Sequence, residues 1–498
     1  MKLEKIDMKM VGFLAAYALL VLYVASISPL TGDEGSHSLL GSFYLGAAGD
    51  FSQNFSLTSL QSYAINFLIQ YPKISVYYPP FPHFIISLFF LVLGKSFFFA
   101  RMATIASSVI LLYVLYWILR KSDYSVMVSR LTIVLISVSL PFIYSVRGIL
   151  MDAQIALLSA IAIFYFNMAS KENSARKFYV AGVLSALAFW FKWQAVFIFP
   201  IFFLYLLFYN RQQIIMLAKA FAVFIFLISP YIIYASHYGL LTLPVTYSAL
   251  LDQPVESAAV GGFQNFFFYT YSLLHQYFFF PFSVFILLAA VLHFIGKGKD
   301  WNILLIWILV IYLAFTFATN KQGRYILLLL PPLALAASMQ FELLAQKFKH
   351  LKRIVLAACL LNLLFFFVPL YFVSTYYSMP TEANYELQTV DIFTSDPGNI
   401  LFTTSAATES SHIMFLLEKE NYSRAVFRGC DFIYDYDKFA TENGIKYIID
   451  IYNEYNGIAN IENTFGPIKV YKTSAPDKVA QCNFICLRNS WICTNFTA

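Results

Sequence analysis

Eleven long runs of apolar, nearly charge-free residues set the plan of this chain. They fall at about 10–30, 102–119, 131–146, 153–170, 178–191, 193–210, 220–236, 266–292, 301–319, 325–341 and 354–376. Most reach the ~17–25 residues that a helix needs to cross bilayer hydrocarbon. The run 178–191 is the shortest. A twelfth stretch, Phe84–Leu93, is too short to cross and reads as a short helix. The pattern predicts a mainly α fold, a polytopic transmembrane helical bundle of about eleven crossings.

Charge then orients the bundle. Lys and Arg sit in short clusters between the runs: Lys2/Lys5/Lys9, Arg120/Lys121, Lys171/Arg176/Lys177, Arg211, Lys297/Lys299 and Lys347/Lys349/Lys352/Arg353. With eleven crossings all of these fall on one side; counting Phe84–Leu93 as a crossing would move several across. Cytoplasmic loops carry the excess of positive charge, so the N-terminus is expected inside. The first run follows MKLEKIDMK and shows no small-residue cleavage pattern, which reads as a retained signal anchor.

From about Tyr377 the pattern changes. Ile400–Thr404, Ala425–Arg428, Lys446–Ile451 and Ile468–Lys472 read as short strands, with helices at Ser411–Lys419 and Tyr436–Asn443. This predicts a small external α/β domain over 377–498, after a transmembrane domain over 1–376 whose first outer loop is 31–98. Cys430, Cys482, Cys486 and Cys493 lie in the tail, where one or two disulfides and free buried thiols are both open readings. Sequons begin at Asn54, Asn421 and Asn495, all on the expected outer side.

Composition narrows the function class. Apolar residues make up 60% and charged residues 12%, about half the soluble average, which excludes an ordinary cytosolic enzyme and a disordered chain. The net charge of +6 is dispersed, with no basic stripe to follow a phosphate backbone, so nucleic acid is not an expected partner.

The candidate chemistry gathers on the expected outer side. Asp33 and Glu34 follow the first run between glycines; a carboxylate at a membrane boundary is partly desolvated and so a better base, although acidic pairs are also ordinary on solvated loops. Arg147 and Asp152 flank a short turn, where they either serve a site or anchor two helices. Tyr78-Pro79-Pro80-Phe81-Pro82-His83 forms a rigid elbow suited to a lipid headgroup or a plain re-entrant turn. Lys192 separates two apolar runs, facing a polar cavity or snorkelling to the interface. Lys321 and Arg324 open the tenth run, where cations and a helix start suit an anion. Proton acceptors beside cations that can hold a phosphate suit transfer from a phosphate leaving group. The carboxylates lack a D-x-D spacing and no His accompanies the tail cysteines, so no metal or other cofactor is demanded.

These features in this order resemble the dolichyl-phosphate-mannose protein mannosyltransferase and aminoarabinose transferase group of GT-C type polytopic glycosyltransferases (family 39-like). The resemblance rests on Asp33-Glu34, Tyr78-Pro79-Pro80-Phe81, Arg147 to Asp152, Lys192 in AFWFKWQ, and RYILLLLPPLAL from Arg324, and spans about residues 10–340. It implies a membrane hexosyl- or pentosyltransferase that takes one sugar from a polyprenyl phosphate. The acceptor would be a hydroxyl of a protein, lipid or glycan on the extracytoplasmic face of the cell membrane. It further implies Asp33 as base, Glu34 orienting the acceptor, Asp152 as second acid, and Lys192, Arg324 and Arg147 on the donor phosphate. Some relatives carry Lys before the paired prolines; here Tyr78 stands there and His83 is the nearby substitute. The competing class is a transporter or flippase for a lipid-linked sugar, which would be expected to show repeated halves with broken helices. A third is a structural membrane subunit whose external domain binds a partner.

Overall fold

The computed structural model describes residues 6–28, 30, 34–53, 56, 79–237, 263–317, 323–348, 350–376, 382–403, 409–419, 426–428, 436–450, 455, 457–465, 468–475, 483–487 and 490–494. The helices are α1 (Met8–Ile27), α2 (Glu34–Gln53), α3 (Phe81–Leu93), α4 (Phe97–Lys121), α5 (Val126–Ser137), α6 (Leu140–Arg147), α7 (Asp152–Lys171) and α8 (Ala175–Phe191). They continue as α9 (Ile198–Tyr209), α10 (Ile214–His237), α11 (Phe263–His275), α12 (Phe280–Ile295), α13 (Trp301–Thr316), α14 (Leu330–Lys347) and α15 (Leu351–Tyr376). Over its described residues each of the eleven apolar runs is mainly helical. Among the described residues five helices are long and apolar enough to cross a membrane alone, and seven spans result if each of two bent pairs counts as one. The chain is a polytopic helical membrane protein with a small strand-bearing C-terminal region.

Two runs that read as continuous in the sequence are broken. Val126–Ser137 and Leu140–Arg147 meet at 66°, and Phe267–His275 and Phe280–Ile295 at 115°. In both, a proline (Pro141, Pro281) stands in the first turn of the second half. Proline has no N–H to continue a helix but is preorganised to start one.

The residues fall into two compact units, residues 1–26, 76–82 and 101–372, and residues 27–75, 83–100 and 373–498. In the first unit, polar ties gather the helix ends that the charge pattern assigns to one side. Asp7 accepts two hydrogen bonds from the Arg130 guanidinium, at 2.6 and 2.8 Å, and one from Tyr116. The guanidinium holds this carboxyl well below the usual range. Asp300 accepts from Tyr124 and pairs with Lys171. Lys299 donates to the carbonyls of Ser122 and Asp123. The ends of α4 and α7 and the starts of α1, α5 and α13 therefore share one end of the unit.

The two breaks are stitched together. The Leu140 amide donates to the Tyr277 carbonyl at 2.9 Å. Asn362 of α15 donates to the Val138 carbonyl and accepts from the Phe279 amide, at 2.7 and 2.8 Å. Broken helices need such partners because lipid offers none to a freed backbone group.

In the second unit a five-stranded sheet runs β2-β1-β3-β5-β4, from β1 (Asn399–Phe402), β2 (Val426–Arg428), β3 (Ile445–Asp450), β4 (Asn460–Phe465) and β5 (Ile468–Lys472). β1 is parallel to β2 and β3, while β5 is antiparallel to β3 and β4. Strand alternation fills two cores. Ile400, Phe402, Tyr447 and Ile449 face α16 (Glu382–Ser395) and α17 (Glu409–Lys419). Leu401, Ile448 and Tyr471 face α18 (Tyr436–Asn443). A separate hairpin joins β6 (Asn483–Leu487) and β7 (Ser490–Thr494). Its register sets Cys486 opposite Trp491 and Cys493 opposite Phe484, so these two cysteines are not direct cross-strand partners. Cys430, Cys482 and the three sequon asparagines lie outside the described residues.

The first outer loop is not a loop throughout: Glu34–Gln53 is a helix. Glu34 in its first turn suits the positive end of the helix dipole. Gly41 lets α2 and α3 approach, since a Cβ there would stand 2.4 Å from Ile86 Cγ2. The α2 and α3 helices pack in the C-terminal unit, where Phe90 and Phe97 lie 5.8 and 4.6 Å from the Phe415 ring centre.

Candidate active site

In the first unit the site is built on the turn between α6 and α7. Ser145 Oγ accepts from the Ala153 amide and donates to the Leu150 carbonyl, at 3.0 and 3.3 Å, which pins the turn from both sides. Asp152 opens α7 at the positive end of its dipole. Lys192 ends α8 in an extended conformation, φ −162° and ψ 136°, before the 3-10 turn Trp193–Phe197.

The Lys192 ammonium lies 2.7 Å from Asp152 Oδ1, and both side chains are only 6% exposed. Two charges this far from water stabilise each other, and removing either takes a counter-charge from the one that remains. The Tyr325 ring lies 5.7 Å from the Lys192 ammonium and 5.9 Å from the Arg324 guanidinium. Tyr325 and Arg324 are carried by the 3-10 helix Gly323–Leu329, which packs on α6 and α7. The Tyr277 hydroxyl fixes its start by donating to the Gly323 carbonyl at 3.1 Å. Buried Arg147 lies 4.8 Å from the Tyr144 ring. Pro79 is buried, and beside it the Phe81 ring stands 5.3 Å from Phe191, the neighbour of Lys192. The arrangement brings Asp152 and Lys192 into contact and sets Arg324 near them across one tyrosine. Arg147 ends α6, five residues before Asp152 in the chain. Among the described residues the arrangement sets Lys192 and Arg324 both near the Tyr325 ring, with the Asp152 carboxylate on Lys192.

The second unit holds a polar group. Glu34 is fully buried at the start of α2, and His37 follows one turn later. His37 Nδ1 and His83 Nε2 are 2.8 Å apart with the rings stacked, and Tyr44 also stacks with His83, at 6.5 Å between ring centres. His83, expected beside the donor phosphate, is thus packed against a second imidazole. Asp33, Tyr78 and Lys321 lie outside the described residues.

Several residues escaped the sequence reading. Arg101, buried in α4, donates to the Ala25 carbonyl at the end of α1. An arginine inside FFFARMATIA was a signal in itself, because an ionisable group in an apolar helix is expensive. His37, Tyr277 and Asn362 had no local signal; their partners are 46, 46 and 224 residues away.

Residues 78–234 match the dolichyl-phosphate-mannose-protein mannosyltransferase family. The elbow, the Arg147–Asp152 turn and Lys192 lie within this match, while Asp33-Glu34 and the segment from Arg324 lie outside it. No curated protein matches in sequence. The fold is similar to that of ArnT from Cupriavidus metallidurans bound to undecaprenyl phosphate, with TM-score 0.69 and 13% identity over 93% of this chain and 98% of that one. The apo state of that ArnT gives TM-score 0.68 and 14% identity, with the same coverage. The chain thus resembles the GT-C type polytopic glycosyltransferases, in sequence over residues 78–234 and in fold over nearly its whole length.

Proposed function

We propose that the chain is an integral membrane glycosyltransferase that moves a single sugar from a polyprenyl phosphate to an acceptor hydroxyl on the extracytoplasmic face. The observation that carries this reading is the buried Lys192–Asp152 pair next to Tyr325 and Arg324. It sets a carboxylate beside cations in a membrane bundle, and cations are what a departing phosphate needs. The sequence match and the fold similarity support the same class.

In the proposed step the acceptor oxygen attacks the anomeric carbon and its proton passes to Asp33. The bond from that carbon to the phosphate oxygen breaks on the opposite face, and the phosphate leaves with the electron pair, so the configuration inverts. Lys192, Arg324 and Arg147 stabilise the charge that develops on the phosphate. Asp152 holds Lys192 in place, and Glu34 orients the acceptor. The step is written without a metal.

The test is transfer of labelled sugar from polyprenyl-phosphate sugars to an envelope extract, comparing wild type with Asp33→Asn in lipid. Transfer by wild type alone is the expected result. Equal transfer by a folded Asp33→Asn protein would overturn the assignment of the base. The two bent helix pairs favour one second reading, a flippase for the intact lipid-linked sugar, since broken helices are a transporter trait. Movement of intact donor across vesicles without transfer would select that reading.

A further inference from the structure

At the end of the first unit that carries Asp7 and Tyr124, a groove of about 460 Å³ opens between α5, the end of α14 and the start of α15. This is within the ~300–1,000 Å³ of ordinary ligand sites. Its long walls are apolar: Leu131 and Val134 on one side, Val355, Leu356 and Cys359 on the other. Its polar residues are two cations, Arg130 and Lys352. Arg130 spends Nε and Nη2 on Asp7, which leaves Nη1 as a donor. Lys352 is exposed and makes no ion pair among the described residues.

We propose that this groove binds an anionic glycerophospholipid of the cytoplasmic leaflet, with the headgroup phosphate on Lys352 and Arg130 Nη1 and an acyl chain between α5 and α15. Apart from Arg130 and Lys352 the lining is apolar, so it offers a trough to an acyl chain and two cations to a phosphate, which is the complement of such a lipid. The end itself holds the cationic cluster that the charge pattern places in the cytoplasm, where anionic lipids are attracted to basic pockets between helices. The groove lies at the α5 start of the bent pair, and Arg147 at the opposite end of it. The site is therefore separate from the proposed transfer centre and does not depend on it.

The experiment places the full-length protein in nanodiscs of phosphatidylcholine with a photoactivatable phosphatidylglycerol, and maps cross-linked peptides. Cross-links should concentrate at 126–134 and 351–359 and be competed by phosphatidylglycerol but not by phosphatidylcholine. Lys352→Ala should weaken competition roughly 5-fold, the worth of one basic residue near a membrane surface. Arg353→Ala, which removes a neighbouring cation outside the lining, should leave it unchanged. Ala345→Trp, which fills the groove, should abolish the cross-link. Labelling spread around the whole belt, equal competition by phosphatidylcholine, or equal loss in Arg353→Ala would reduce the effect to surface charge and overturn the proposal. So would competition by a polyprenyl phosphate alone, which would make this a carrier-lipid site. Should Ala345→Trp fail to fold, an unchanged Lys352→Ala would still overturn it.

Discussion

Lys192 and Asp152, forty residues apart in the chain, meet at 2.7 Å in a part of the bundle where each side chain is 6% exposed. The two ions are mutually dependent. Asp152→Ala would take this counter-charge from a buried ammonium, at a cost of up to about 3–5 kcal/mol. The double variant Asp152→Asn/Lys192→Met removes both charges and should recover most of that loss. Thermal unfolding in detergent checks the stability part, and sugar transfer checks the rest. Stability should return in the double variant while transfer stays lost, which separates the structural role of the pair from its role in the reaction.

The membrane part of the fold was legible because lipid imposes long apolar helices, and each expected run is mainly helical over its described residues. The breaks at Pro141 and Pro281 were less so, since a proline in an apolar run reads equally as a kink or a new start. Four of the five sheet strands stood out by their apolar, β-branched residues. Asn460–Phe465 did not, because an exposed edge strand needs no apolar face. At the site, the residue types and their sidedness were visible, but the contact of Lys192 with Asp152 was not. Pairing is set by how α7 and α8 pack, and no local pattern encodes it.

That packing supplies a second prediction. A Cβ on Gly182 of α8 would stand 2.4 Å from the Ala220 carbonyl oxygen of α10. The obstacle is backbone, so it cannot swing aside. Gly182→Ala should therefore destabilise the bundle by about 1–3 kcal/mol, as overpacking does. Gly46 of α2, with open space around its Cβ position, serves as the control. Gly46→Ala should leave the unfolding temperature unchanged or raise it slightly.

In the C-terminal unit, pH acts through Asp396. Lys446, Tyr447 and Lys472 all donate to its carboxylate and hold it well below the usual carboxylate range. A depressed carboxyl contributes stability above its unfolded value of about 4, and that contribution is lost as pH falls through the folded value. Asp396 is 46% exposed, so solvent screening limits the effect to about 1 kcal/mol or less. Protection factors at 399–402 and 445–450, corrected for the pH dependence of intrinsic exchange, should fall in the full-length protein below about pH 4. In Asp396→Asn that acid sensitivity should shrink, with faster exchange already at neutral pH.

Asn362 gives the sharpest test of how the site is held. Its amide bridges the Val138 carbonyl and the Phe279 amide, backbone groups in the breaks of both bent pairs. The Leu140–Tyr277 bond lies between those breaks, and the Tyr277 hydroxyl fixes the start of the segment that carries Arg324 and Tyr325. Asn362→Leu removes both bonds at similar volume and strands two backbone groups where lipid cannot replace the partner, which costs about 1–3 kcal/mol for each. As a neutral acid, Asn362→Asp accepts from the Phe279 amide and donates its O–H to the Val138 carbonyl, so it should be the milder change. Because Asn362 is not among the charged groups of the site, its loss should act through placement of Arg324. KM for the polyprenyl-phosphate donor should rise more than kcat falls, and Asn362→Asp should restore part of it. An unchanged KM beside a lowered unfolding temperature would confine Asn362 to stability and leave the position of Arg324 to the packing of the Gly323–Leu329 segment on α7.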